Sequence, residues 1–68
     1  MAFYYVNKLA QANGDHEVHN GNCYYLPQEP NRHYLGSFSS CCEAVKQAQK
    51  TYFQSNGCKY CCRECHVG

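Results

Sequence analysis

Residues 57–66 read GCKYCCRECH, and this segment holds four of the seven cysteines in a chain of 68 residues. A chain of this length buries roughly 60% of its unfolded surface, so its apolar core is marginal. Domains this small commonly add disulfides or a structural metal, and a high cysteine content is typical of them. The segment therefore predicts a single small cysteine-rich domain, residues 1–68, that is stapled by a metal or by disulfides.

The residues before this segment carry the clearest signal for secondary structure. Ser40 and Glu43 have the S-x-x-E spacing of a capping box, which satisfies two free amides at a helix N-terminus. The following apolar residues recur on one face of a helix: Cys41, Val45, Ala48 and Tyr52. Asn56 and Gly57 are typical of a helix stop, with glycine suited to a left-handed C-terminal cap. We expect one α-helix over about residues 41–55.

Three stretches closer to the N-terminus favour β-strands. Residues 2–6 (AFYYV) are aromatic and β-branched, residues 16–19 (HEVH) follow an Asn-Gly turn signal, and residues 33–38 (HYLGSF) follow a proline-framed loop. The order strand, strand, strand, helix predicts an α+β fold. In it, a small antiparallel sheet of about three strands packs on the helix.

Charge and hydropathy argue against a membrane partner and disfavour nucleic acid without excluding it. The net charge is +1 and there is no basic block, so the cationic face that nucleic-acid binding requires is not apparent. No run of 18 apolar residues is present, which argues against a membrane-spanning segment. The start, MAFYYVNKL, lacks the features of a signal peptide. We expect a cytoplasmic protein whose partner is a protein, in a compartment where thiols stay reduced.

Two pairs of metal-binding residue types flank the helix. His19 and Cys23 are four positions apart across a glycine-containing turn, and Cys58 and Cys61 form a C-x-x-C pair. Three cysteines and one histidine are a standard ligand set for a closed, tetrahedral zinc site. The spacing predicts one structural zinc ion bound by these four residues. It predicts no catalytic activity, because such a site has no open position for water.

The tail leaves other ligand choices open. Cys62 and Cys65 form a second C-x-x-C pair that overlaps the first, and His66 and Cys41 are further candidates. Cys41 falls in the first helical turn, where backbone amides and the helix dipole lower the pKa of a thiol. It is therefore the candidate for a reactive-thiol or alkyl-acceptor function. The alternative for Cys41 is a small buried hydrophobic residue beside Val45.

Three further patterns suggest other chemistries. His16 and His19 suggest the histidine pair of a zinc protease, but that pair is four residues apart on a helix and these two are three apart. On a strand they point to opposite faces, so they are not expected to bind one ion together. Residues 62–66 spell the C-x-x-C-H pattern of c-type haem attachment. Haem attachment occurs outside the cytosol, so we interpret this spelling as a coincidence of a cysteine-rich tail. Disulfides that staple the tail to the body without a metal remain the main alternative to zinc.

The chain resembles two kinds of known protein. The runs HEVHNGNCYYLP, YLGSFSSCCEAVKQAQKTY and NGCKYCCRECH cover most of residues 5–66 and resemble a group of small uncharacterised bacterial cysteine-rich proteins. That resemblance implies a bacterial source and no particular activity.

A more distant resemblance is to the zinc-binding domain of the Ada DNA-repair methyltransferase. It rests on the order of His19 and Cys23, a helix with an E-A pattern at Glu43, and the pair Cys58 and Cys61. The resemblance implies a zinc fold. In Ada all four ligands are cysteines and one of them accepts a methyl group from DNA phosphate. This chain departs from that pattern at His19 and lacks an evident basic face for DNA.

Overall fold

The computed structural model describes residues 1–66, which form a four-stranded sheet and one α-helix. The strands and helix are β1 (Ala2–Asn7), β2 (His16–Asn20), β3 (Arg32–Phe38), α1 (Cys41–Ala48) and β4 (Ser55–Gly57). Two short 3-10 turns complete the described chain, at Glu29–Asn31 and Arg63–Cys65. Within residues 1–66, no helix combines the length and the apolarity that crossing a membrane requires.

The strands lie in the order β3-β1-β2-β4. β1 pairs with both β2 and β3 in antiparallel orientation, and β4 pairs with β2 in parallel orientation. The α+β class and the three predicted strands are confirmed. The sheet is mixed rather than purely antiparallel, because the chain after the helix returns as a fourth strand along the outer edge of β2.

A β-bulge divides the pairing of β1 with β3. Tyr4 lies opposite Gly36, whereas Tyr5 lies opposite Tyr34, so one residue of β3 has no partner. Gly36 has a φ of 128°, a conformation that residues with a side chain rarely adopt. The two tyrosines of β1 contact different rings on opposite faces of the sheet: Tyr4 packs on Phe38 at 6.3 Å and Tyr5 on Tyr34 at 5.3 Å.

The core lies between one face of the sheet and the apolar face of α1. The sheet contributes Tyr4, Val6 and Val18 to it. The helix contributes Cys41, Ala44, Val45 and Ala48, so three of the four residues of the predicted apolar stripe lie on it. The fourth, Tyr52, lies beyond the end of the helix and packs against the core partly buried. Two tail cysteines, Cys58 and Cys62, are as deeply buried as the valines. Sulfur therefore makes up a substantial part of this small core.

The helix begins where the capping signal indicates but ends earlier than predicted. The Ser40 side chain accepts a hydrogen bond from the Glu43 amide at 3.4 Å. The last helical residue is Ala48 rather than a residue near 55. The Ala48 carbonyl accepts a bond from the Tyr52 amide, and the Ser55 hydroxyl donates to the Tyr52 carbonyl. Residues 51–53 (TYF) are weak helix formers, and the chain must turn here to reach β2.

Gly57 was predicted to cap the helix, but the structure places it in β4, where it permits close packing of the tail. It lies in β4, and its φ is not positive, unlike those of Gly14 and Gly36. A Cβ atom at position 57 would lie 2.8 Å from the carbonyl oxygen and 3.0 Å from the Cβ of Cys62. The tail therefore folds back directly onto the backbone of β4, at a distance that only glycine permits.

A disulfide joins the start of the helix to the tail. It links Cys42 to Cys65, whose Cα atoms are 5.5 Å apart and which are separated by 23 positions in the sequence. Disulfides typically stabilise small domains by about 2–4 kcal/mol. This bond staples the tail to the body, as the disulfide alternative predicted, whereas the neighbouring Cys41 is a free, buried thiol.

Gly57→Ala is expected to destabilise the fold by about 1–3 kcal/mol, the usual cost of overpacking a rigid site. The clash is with backbone and Cβ atoms of Cys62, which cannot move aside as a flexible side chain would. Urea unfolding under fixed redox and metal conditions measures the change. The control is Gly21→Ala, whose new Cβ would meet a ring carbon of Tyr5 at 3.3 Å. Equal losses of unfolding free energy in the two variants would contradict a clash with the backbone at position 57.

Candidate metal centre

The parallel pairing of β4 with β2 brings the two predicted ligand pairs together. Val18 lies opposite Gly57, and the Cys58 amide donates to the Val18 carbonyl at 2.9 Å. The next residues along the two strands, His19 and Cys58, are therefore neighbours on one side of the sheet. A tight turn after each strand then brings the second residue of each pair, Cys23 or Cys61, back towards the first. The Cys23 amide bonds to the Asn20 carbonyl, and the Cys62 amide bonds to the Cys58 carbonyl, across the turn that holds Cys61.

The four predicted ligands meet at the spacing of a metal site. The donor atoms of His19, Cys23, Cys58 and Cys61 all lie within 4.8 Å of one another. The sulfurs of Cys23 and Cys58 are 3.8 Å apart, and Cys61 Sγ is 4.0 Å from His19 Nδ1. Tetrahedral zinc, with its usual bond lengths, would hold two sulfurs about 3.8 Å apart and a sulfur and a nitrogen about 3.6 Å apart. This group could hold a metal ion; its occupation by zinc remains a prediction.

Burial disfavours the charged forms of His19 and Cys61 as long as no cation is bound. His19 is 1% exposed, and burial lowers its pKa, which favours the neutral imidazole that metals bind. Burial, with smaller contributions from the neighbouring thiols of Cys23 and Cys58, raises the pKa of the Cys61 thiol to about 12. A bound divalent cation favours the thiolate instead, because a coordinating thiol is deprotonated.

Two backbone amides point at the sulfurs of the cluster. The Asn20 amide donates to Cys61 Sγ at 3.3 Å, and the Tyr60 amide donates to Cys58 Sγ at 3.4 Å. Hydrogen bonds from amides strengthen when the acceptor is charged. These donors are fixed by the turns that carry the ligands, so the site is organised to stabilise thiolates.

Glu17 lies behind His19 and was not identified from the sequence. Its Oε1 is 3.6 Å from His19 Nε2, on the ring edge away from Cys61. Residues 17 and 19 project from the same face of a strand, which is the signal that could have found this contact. Histidine ligands commonly face a carboxylate with their second nitrogen, which fixes the tautomer and the orientation of the ring. Glu17 is in position to orient Nδ1 towards the cluster.

The remaining candidates from the sequence lie outside this group. His66 contacts the Gly57 carbonyl through Nδ1 at 2.9 Å, and Cys65 is bonded to Cys42. Burial raises the pKa of the Cys41 thiol, and Glu64, which accepts a hydrogen bond from it at 3.3 Å, contributes to the rise. The expectation that the helix start lowers this pKa is therefore wrong, because burial outweighs the helix dipole.

His16 and His19 point to opposite sides of β2, as the strand interpretation predicted. The His16 ring stacks on Tyr52 with centroids 4.2 Å apart, and its Nδ1 lies 2.9 Å from the Asn7 carbonyl oxygen. His16 therefore packs at the end of the core, while His19 joins the cysteines. The H-E-V-H run lies on a strand and does not form the helical ligand pair of a zinc protease.

No protein-family model, curated protein or solved structure matches this chain. The resemblances to small bacterial cysteine-rich proteins and to the zinc-binding domain of Ada stay predictions. The candidate metal centre consequently rests on its own composition and geometry.

Cys41 and Cys62 are expected to react with iodoacetamide at least about tenfold more slowly in the folded chain than in urea, because reaction requires local opening. Both thiols are at most 1% exposed, and burial raises the pKa of each, which lowers the fraction of reactive thiolate. Peptide mapping by mass spectrometry after timed alkylation gives the two rates. Fast, selective alkylation of Cys41 in the folded chain would instead favour a reactive-thiol function.

Proposed function

We propose that this protein binds one structural zinc ion through His19, Cys23, Cys58 and Cys61, and that it acts as a small metal-stabilised interaction module. The observation that carries the proposal is the approach of these four donor atoms to within 4.8 Å of one another. Two of them come from β2 and its turn, and two come from the segment after β4. Residues so far apart in sequence gain a common function only when the fold brings them together.

Zinc is the metal that this ligand set fits best. Thiolates and imidazole are ligands of intermediate to soft character, and a tetrahedral group of three sulfurs and one nitrogen is typical of zinc. With four protein ligands the ion has no open position for water or substrate, so the proposed role is structural. Calcium and magnesium prefer oxygen ligands, which this group does not offer.

The metal would stabilise the weakest connection of the sheet. β4 has three residues and forms an edge strand, and such a short parallel pairing contributes little stability by itself. Zinc binding contributes about 10–16 kcal/mol in small zinc-finger peptides, as much as the whole stability of a typical domain. An ion held by both strands would tie β4 and the tail to the body of the protein.

An exposed aromatic groove lies on the same side of the sheet as the candidate metal centre and supports the role as an interaction module. A cavity of about 440 Å³ is lined by Phe3, Tyr5, Glu29, Arg32 and Tyr34. Phe3 and Tyr34 are 58% and 53% exposed, and the Arg32 guanidinium lies 4.8 Å from the centre of the Tyr5 ring. Tyr5 also pairs with the ligand His19 across the strands, so the metal centre and the groove share a scaffold.

The chemistry of this groove favours a protein partner. Aromatic side chains and arginine are enriched at protein interfaces and dominate their binding energy. The groove contains one acidic and one basic side chain, Glu29 and Arg32, so it offers no net positive charge to a phosphate backbone. We therefore propose that it binds a segment of another protein in preference to nucleic acid.

A disulfide-stapled domain without metal is the second candidate, and the bond between Cys42 and Cys65 favours it. That bond leaves the five remaining cysteines unpaired. Three of these converge on His19, which a purely disulfide-based staple would not require. The zinc proposal accounts for this convergence and is compatible with the disulfide.

His19→Ala is expected to weaken zinc binding by more than about 100-fold, since loss of an outer-shell partner alone costs about 10–100-fold. Competition with a chromophoric chelator measures the affinity, and thermal unfolding with and without chelator measures the coupled stability. His33→Ala is the matched control, because His33 is exposed on β3 and lies outside the metal group. Absence of zinc from the purified wild type, together with a fold that chelators leave intact, would refute the proposal.

Tyr34→Ala is expected to weaken binding of partner peptides by at least about tenfold, as truncation of an interface hot spot does. Peptides would first be selected from a random display library on the full zinc-loaded chain, and affinities measured by fluorescence anisotropy. Phe53→Ala is the control, since Phe53 is 92% exposed and lies outside the groove. Binding of single-stranded RNA that depends on Tyr34 would contradict the proposed class of partner.

A further inference from the structure

A second group of cysteines lies at the start of the helix, outside the candidate metal centre. Cys41 and Cys42 occupy the first turn of α1, and Cys62 and Cys65 are a C-x-x-C pair in the tail. The sulfurs of Cys41, Cys42 and Cys65 lie within 4.8 Å of one another. Cys62 is buried in the same core as Cys41, and each of the two thiols shifts the pKa of the other. We refer to these four residues as the helix-start cluster.

The helix-start cluster and the candidate metal centre divide the cysteines of the chain completely. Three cysteines join His19 in the metal centre, and the other four form the helix-start cluster, which accounts for all seven. The overlapping C-x-x-C pairs of the tail are separated in the same way. Cys58 and Cys61 face β2, whereas Cys62 and Cys65 face the helix.

We propose that the helix-start cluster is a second, redox-controlled zinc site. When the disulfide between Cys42 and Cys65 is reduced, the sulfurs of Cys41, Cys42, Cys62 and Cys65 bind one zinc ion as a tetrathiolate. When these two residues are oxidised again, the disulfide forms and the ion is released. This site is independent of the zinc ion proposed above, since the two share no ligand.

The backbone around the cluster is suited to four bound thiolates. Cys42 and Cys65 are held with their Cα atoms 5.5 Å apart, and Cys41 lies at the buried base of the group with 1% exposure. Two ligands follow each other at a helix N-terminus, where free amides and the helix dipole favour negative charge. The Cys65 amide, which donates to the Cys62 carbonyl at 3.0 Å, acts to lower the pKa of the Cys41 thiol.

Glu64 is the acidic group that faces the cluster. Its Oε1 accepts a hydrogen bond from the Cys41 thiol at 3.3 Å, which requires that thiol to be protonated. A carboxylate beside four metal-bound sulfurs would be repelled by their charge. Glu64 is exposed, so it can turn into solvent when the metal binds. The contact with Glu64 thus belongs to the oxidised, metal-free form of the cluster.

The proposed cycle balances in electrons and protons. A cellular dithiol or two molecules of a monothiol such as glutathione supply two electrons and two protons, which break the S–S bond into two thiols. The reductant leaves as its own disulfide. Zinc then binds four sulfurs and displaces four protons, because thiolates are the ligand form. Oxidation by a disulfide, which leaves as two thiols, or by hydrogen peroxide, which leaves as two waters, removes two electrons from Cys42 and Cys65. Their bond re-forms, zinc is released, and the thiolates of Cys41 and Cys62 take up protons from water.

The test counts zinc in the full chain by native mass spectrometry, after incubation with Zn²⁺ in reduced form and after mild oxidation. The reduced chain is expected to hold one zinc more than the oxidised chain. In acid, which removes the metal, the oxidised chain is expected to be two mass units lighter than the reduced chain. Equal zinc content in the two states would overturn the proposal, whether one ion or two were bound. Cobalt(II) in place of zinc adds an optical readout, since its thiolate charge-transfer absorption should fall on oxidation.

Two variants assign the ions to their sites. Cys42→Ser removes a ligand and the disulfide of the helix-start cluster, and should abolish the redox-dependent ion and leave the other. Cys23→Ser removes a ligand of the candidate metal centre and should leave the redox-dependent ion in place. Loss of the redox-dependent ion in Cys23→Ser but not in Cys42→Ser would refute the second site.

If Cys42→Ser does not fold, the comparison of reduced and oxidised wild type still tests the proposal. Cys65→Ser then replaces Cys42→Ser as the variant that removes a ligand and the disulfide of the helix-start cluster. A chain that holds only the redox-dependent ion would refute the structural zinc of the proposed function and leave the helix-start site intact.

Discussion

The parallel pairing of β4 with β2 is the constraint on which the rest of the structure depends. It comprises three residue pairs, yet it places Cys58 beside His19 and so creates the candidate metal centre. It also requires the helix to end at Ala48, because the chain must turn back to the outer edge of the sheet. The same strand presents Gly57 to the tail, whose backbone packs against it at a distance that excludes a side chain.

Cysteine takes the place that larger aliphatic residues occupy in bigger domains. Cys41, Cys58 and Cys62 are buried with Val6 and Val18, so the core of this chain contains groups that can ionise, bind metals or be oxidised. Burial disfavours the thiolate unless a cation is present. Binding of a metal or oxidation of these thiols would therefore change the charge and the packing of the core, a coupling that an aliphatic core would not have.

Local signals explain the parts of the fold that could be predicted. The helix begins at Cys41, where the sequence predicted it. Its signals, the capping residue Ser40 and the apolar stripe, lie within one or two helical turns of each other and so depend only on local sequence. The β-branched and aromatic runs likewise predicted three strands, because the strand propensity of each run depends on its own residues. The residues 55–57 (SNG) have no such preference, so β4 could not be found from propensity. Its strand conformation comes from pairing with β2, which is a tertiary contact.

The sequence by itself determined the candidate ligand types and their short-spaced pairs, because metal-ligand pairs depend on short spacings. These are His19 with Cys23, and two overlapping pairs in the tail, Cys58 with Cys61 and Cys62 with Cys65. Tertiary structure alone decided which of the overlapping tail cysteines face β2 and which face the helix. That choice depends on the direction in which β4 joins the sheet and on the turn that follows it. The pairing of Cys42 with Cys65, and the position of Glu17 behind His19, were decided by the same long-range packing.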